Sequence, residues 1–252
     1  MDQGEQARAA LGGAPLLRAG TERALLSAAV IALFVTGYFA IGHAIAPESA
    51  HDLTSAWDRR IPFVDWTVWI YLWLFPASLL PLFVVRCPRL FRRTIVAYAL
   101  VIAASLAVFA AYPVTSAHLR ESAGPLDTSR LSPWAVATIY RLDPPVNLFP
   151  SLHLSIALLA ALSAWIASRV YGAAIGAGVV LVAISILTVK QHVLADAAGA
   201  LVVAGLAYVA VLRTYRPAPG VVPAYGWRGP AAYAGLTLAV YAGFVAAFLL
   251  RS

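Results

Sequence analysis

Polar residues along this chain are gathered into short runs, and between them lie long stretches in which almost every position is apolar. Five such stretches, residues 24–46, 66–85, 94–115, 171–189 and 193–212, are near-continuous and long enough to cross a bilayer, which takes roughly 20 helical residues. A sixth, 151–168, is a little short, and a seventh, 230–250, lies near the C-terminus. In lipid only helices and closed barrels satisfy their backbone, and barrel strands alternate apolar with polar. Unbroken runs therefore predict an all-α, polytopic transmembrane helical bundle. The expected division is an N-terminal tail (1–22), a six-span core (23–214), and a loop with an additional C-terminal transmembrane helix (215–252).

Interruptions refine the picture. Pro76 and Pro81 fall inside the second run and predict a kink. "LSPWAVATIYR" at 131–141 reads as a short helix capped by Ser132, with Pro133 in its first position. It is too short to span and is expected on the membrane interface. "LDPPVN" after it demands extended chain, because a residue before proline is pushed out of the helical region. The next span then starts at Pro150–Ser151.

Composition agrees, with 62% hydrophobic and 12% charged residues, whereas soluble domains carry about a quarter charged. The net charge of +7 raises the possibility of nucleic acid, but its placement points to topology. With seven spans and the N-terminus inside, 11 of the 18 Lys and Arg residues fall on the inner side, led by the "RCPRLFRR" loop at 86–93. Trp66, Trp69 and Trp73 suit an interfacial belt. The run 24–46 exceeds the apolar core of a secretory signal, and Pro47 follows its Ala-x-Ala, so an uncleaved first span is expected. Cys87 is the only cysteine and reads as a free thiol.

The informative residues are the polar exceptions. Ser151 and His153 stand in the first turn of the fourth span, at the positively polarised end of a helix. "LTVKQHVLADAAGA" at 187–200 places His192 and Asp196 four apart, in reach on one helical face, beside Lys190, the only lysine. "AYPVTSAHLRE" at 111–121 brings Arg120 after the third span. Spans alternate direction, so these three clusters share one membrane level. Arg120, Lys190 and a helix N-terminus suit a phosphate. A carboxylate-held imidazole leaves Nε2 free to attack phosphorus, and a second imidazole protonates the departing oxygen. No metal-ligand spacing is visible, so no cofactor is expected. Arg141, Asp143 and Asn147, just before the fourth span, are weaker candidates, His118 beside Arg120 is weaker still, and His43 and His51 receive no role.

"PSLH" at 150–153 with "HxxxD" at 192–196 resembles the type 2 phosphatidic acid phosphatase superfamily of integral-membrane lipid phosphatases. The "FPSLH…KQHxxxD" wording is similar to its inositol phosphorylceramide synthase branch. The likeness covers roughly residues 24–212. It implies that His192 is the nucleophile of a phosphohistidine and that Asp196 orients it. His153 is then the acid for the leaving group, and Ser151 holds phosphate oxygens. Arg120 corresponds to the arginine of the first motif. Where that motif has a lysine this chain has Pro113, and where the third has an arginine it has Ile186. Lys190, with Arg141 or Arg130, is expected to replace the missing cations, and Asn147 to donate to phosphate.

The expected activity is hydrolysis of a phosphomonoester or diphosphate lipid at the extracytoplasmic face. Transfer of a phospho-head group onto an alcohol is the alternative. The expected partners are a lipid phosphate and the bilayer, not nucleic acid. Two rivals remain at this level, a haem-binding membrane cytochrome, which needs paired histidines deep in the spans, and a transporter or scaffold.

Overall fold

The computed structural model describes residues 16–251, with side chains from Gly20 onward. In chain order the helices are α1 (Leu16–Ala44), α2 (Ala56–Arg60), α3 (Val68–Leu72), α4 (Leu74–Val84), α5 (Pro88–Ala111) and α6 (Ala117–Glu121). They continue with α7 (Leu131–Leu142), α8 (Leu152–Ala167), α9 (Arg169–Thr188), α10 (Leu194–Ala207) and α11 (Arg228–Leu249). Among the described residues there is no strand, and six helices are long and apolar enough to cross a membrane. The chain is an all-α polytopic bundle and an integral membrane protein. Of the expected tail, residues 16–22 are helical, and residues 1–15 lie outside the described residues.

The most enclosed of the apolar helices is one that falls short of a full span. α8 has 16 residues and packs on α4, α5, α9 and α10. Its sequence explains this, since Ala157, Ala160, Ala161, Ala164 and Ala167 let neighbouring backbones approach closely. Buried Ser155 and Ser163 turn their hydroxyls onto backbone carbonyls one turn back, at 2.8 and 2.9 Å. Ser168 alone separates α8 from α9 and caps the latter. At Gly172 a Cβ would collide with the backbone of Trp165, so only glycine permits this tight hairpin.

The second span breaks where its prolines predict. Between α3 and α4 the chain turns at Trp73, because Pro76 has no N–H to give the Leu72 carbonyl and its ring crowds it. Pro81 stays within α4. α7 departs from expectation at its cap. Arg130 occupies that position, and the Ser132 hydroxyl instead accepts the Trp69 indole N–H at 3.0 Å.

One end of the bundle is rich in arginine (Arg86, Arg89, Arg92, Arg93, Arg213, Arg216, Arg228), and the other carries the long loops. Three extended segments are tied together at the loop-rich end. His51 donates to Pro113 (2.8 Å), Thr115 to His51 (2.9 Å), Val114 to Val146 (3.3 Å) and Ser116 to Pro145 (3.2 Å), all through backbone groups. This lattice holds α6, with Arg120, against the approach to α8.

Candidate active site

α9 ends at Thr188, and the chain reverses through Lys190, whose φ of 57° lies in the left-handed region. The carbonyl of Ile186 accepts the N–H groups of both Gln191 and His192, each at 3.0 Å, which pins the turn. His192 thus stands before α10 rather than on it, so the i, i+4 relation to Asp196 is built differently from a mid-helix pair. Asp196 reaches back from the first turn of α10. Its Oδ2 accepts from His192 Nδ1 at 3.1 Å and from the Val193 N–H at 3.0 Å. Both partners are buried, Asp196 completely.

A carboxylate only accepts, so it fixes the neutral ring with its proton on Nδ1. Nε2 is left as a lone pair, and the Ser151 hydroxyl lies 3.2 Å from it. Ser151 is itself fully buried and caps α8 by accepting the Leu154 N–H, while its own N–H donates to the Asp196 carbonyl at 3.1 Å. Side chains 41 residues apart are thereby locked into a single unit of serine, histidine and aspartate.

His153 follows on α8, half-buried, with its ring centroid 6.4 Å from that of His192 and the planes at 65°. Phe34, Tyr38, Tyr71 and Phe75 surround it at centroid distances of 5.9–6.5 Å. Two imidazoles from distant segments therefore face the same space.

Arg120 joins from α6. Its guanidinium donates to the carbonyl of Asp143 at 3.0 Å, to that of Tyr140 at 3.3 Å, and to Oε1 of Gln191. It also lies 3.6 Å from the Asp143 carboxylate and over the Tyr140 ring. Asp143 accepts from the Tyr38 hydroxyl as well. Two buried donors of this network, Arg120 Nε and Gln191 Nε2, have no protein partner. Such orphans in a buried network call for a reason.

The other expected cations are placed elsewhere. The Lys190 ammonium donates to the carbonyls of Asp58 and Ile61, clasping α2 and the loop after it onto the α9–α10 turn. Burial pushes its pKa below the ordinary lysine range, and the Asp58 carboxylate pulls it part of the way back. Asp58 in turn accepts the Leu194 N–H at 2.7 Å at the start of α10. Arg141 and Arg130 are exposed and outside the Arg120 network. Asn147 is buried and donates to the Tyr38 carbonyl at 2.6 Å, tethering α1. At the two positions that depart from the motifs, Pro113 gives its carbonyl to His51 and the Ile186 side chain is buried in the core.

Sequence reasoning missed Gln191 and Tyr38. Gln191 carried a signal, since a third polar residue beside Lys190 and His192 at membrane level invites a role. Tyr38 carried none, because an aromatic residue inside an apolar run reads as core. Among the described residues, no three His, Cys, Asp or Glu side chains converge as metal ligands.

Residues 45–210 match the family model described as the PAP2 superfamily. No curated protein and no solved structure matches the chain.

Proposed function

The chain belongs to the PAP2 superfamily, whose members are phosphoesterases and phosphotransferases, and on that footing we propose that it hydrolyses a lipid phosphomonoester or diphosphate through a phosphohistidine on His192. The observation that carries this is the pair of imidazoles sharing one space, one of them held by a buried carboxylate. Nε2 of His192 attacks phosphorus in line, and the Nδ1–H to Asp196 bond stabilises the positive charge that develops on the ring. The Ser151 hydroxyl, now on Nε2, turns to a phosphate oxygen. Arg120 and Gln191 bind the remaining oxygens through the donors that lack partners.

His153 gives its proton to the departing lipid oxygen, then takes one from water as that water breaks the P–N bond. In this reading the loop-rich end is extracytoplasmic and the arginine-rich end cytoplasmic, as the distribution of basic residues favours. Asn147 and Lys190 act by holding α1 and α2 in place, and Arg141 stays at the surface.

Transfer to an alcohol differs only in what resolves the phosphohistidine. Asp143 supports it as a second reading, since this carboxylate lines the same cavity as His153 and offers an acceptor for an incoming hydroxyl. One experiment separates these outcomes. Purified protein is incubated with a panel of lipid phosphates, with and without inositol, and free phosphate and new lipids are both measured. The His192→Ala enzyme is expected to yield neither product, and phosphate release from it near the wild-type rate removes the nucleophile.

A further inference from the structure

Two cavities meet at His153, each lined by Phe34, Phe75 and this imidazole. One, of about 720 Å³, runs between α1, α4 and α5 toward Ser27 and Phe91. The other, of about 1120 Å³, has a different wall. Its polar end is His153 and Asp143; the rest is apolar, and Val240 and Phe244 of α11 help to close it. No lysine or arginine lines it, so its apolar part suits hydrocarbon rather than a phosphate.

α11 lies beyond residue 210, where the family match ends, and α1 lies before residue 45, where it begins. Both face this cavity, α1 through Phe34, Val35, Tyr38 and Phe39. Yet α1 packs mainly on α5, whereas α11 packs on α4 and α7. The gap between them is rimmed by exposed apolar side chains, with Val35 42%, Phe39 36% and Leu142 62% exposed. α11 is nonetheless a fixed wall. The Tyr241 hydroxyl donates to the Trp69 carbonyl at 2.7 Å, and Phe244 and Phe248 set their edges against Trp134.

We propose that α11 is a specificity element of the enzyme: Val240 and Phe244 form one side of a lateral portal between α1 and α11, and they grip the hydrocarbon chain of the lipid whose phosphate lies between His153 and His192. This rests on the lipid-phosphatase reading above. It gives the C-terminal helix a task that residues 45–210 alone do not perform.

The test compares dipalmitoyl and dihexanoyl phosphatidic acid as substrates of the full-length protein. Val240→Trp fills the cavity, and it is expected to raise KM for the long-chain lipid by about tenfold or more while shifting the short-chain KM by less than about threefold. Phe244→Ala enlarges the cavity and is expected to relax the preference for chain length. Leu238→Trp, on an exposed part of α11, is the control and leaves both constants near wild type.

A second measurement does not depend on turnover. In Val240→Cys protein, alkylation of the new thiol is expected to slow about fivefold or more when a dipalmitoyl phosphonate analogue of phosphatidic acid is added, with wild-type labelling at Cys87 subtracted. Protection without turnover by the parent protein overturns the hydrolase reading and keeps the portal. Turnover without protection, or equal effects of Val240→Trp on both chain lengths, overturns the portal and keeps the hydrolase. Neither turnover nor protection overturns both.

Discussion

Replacing Asp196 by Asn changes one atom and tests the centre of the mechanism. The side chain is fully buried, and Oδ2 accepts two N–H groups while Oδ1 has no partner. An amide placed with its oxygen at Oδ2 keeps both bonds and the Nδ1–H tautomer, so the fold and the orientation of His192 survive. Two things are lost. The amide NH2 sits buried without an acceptor, which costs about 1–3 kcal/mol of stability. The imidazolium formed as His192 attacks no longer faces an anion.

A hydrogen bond to a charged group contributes about 1.5–3 kcal/mol, and each ~1.4 kcal/mol is a factor of ten in rate. The Asp196→Asn enzyme is therefore expected to lose about ten- to 150-fold in kcat with KM little changed. Phosphate release from detergent-purified protein measures this, with a thermal melt to confirm folding. Asp196→Ala, which also abandons the Val193 N–H, is expected to lose more. A folded Asp196→Asn protein with kcat within about twofold of wild type refutes the argument, because His192 would then need no carboxylate.

Two imidazoles in opposite protonation states predict a bell-shaped pH–rate profile for the wild type, and His153→Gln, which keeps a polar side chain but cannot shuttle a proton, is expected to lose one limb of it, as read from kcat/KM across pH. Lys190→Met keeps the aliphatic stem and deletes the donors to Asp58 and Ile61. It is expected to cost about 1–3 kcal/mol in unfolding free energy, with KM within about threefold of wild type; a rise in KM without a loss of stability would instead make the ammonium a substrate ligand. Gly199→Ala would bring a Cβ to 2.7 Å from the Phe149 ring and 2.9 Å from Pro150. The segment carrying Ser151 must then shift, at about 1–3 kcal/mol and with reduced kcat. Gly205→Ala on the same helix meets nothing within 4 Å and serves as the control.

What the sequence determined by itself was whatever is local or additive along the chain. The transfer of long apolar runs into lipid is a sum over neighbouring residues, so the helical class and the spans could be read directly. Ser151 at a helix start, and a carboxylate four residues after His192, are within one turn of their partners, and chain geometry brings them into reach whatever the rest of the bundle does. Even there the detail was tertiary, since the turn held by Ile186 places His192 ahead of α10. Pro76 likewise announced a break, but its position at Trp73 is seen only in the folded span.

Only the tertiary structure decided where long side chains go. Lys190, Arg130, Arg141 and Asn147 all looked fit for phosphate, because a cation or amide in sequence does not show which carbonyls lie beside it. Those carbonyls come from afar, 129 and 132 residues away for Lys190 and 109 for Asn147. The same holds for Tyr38 on Asp143, Gln191 on Arg120, and Val240 and Phe244 in one cavity with His153. A span is apolar on every face in lipid, so its composition carries no record of which face it turns inward. Packing alone selects that face, and with it the site.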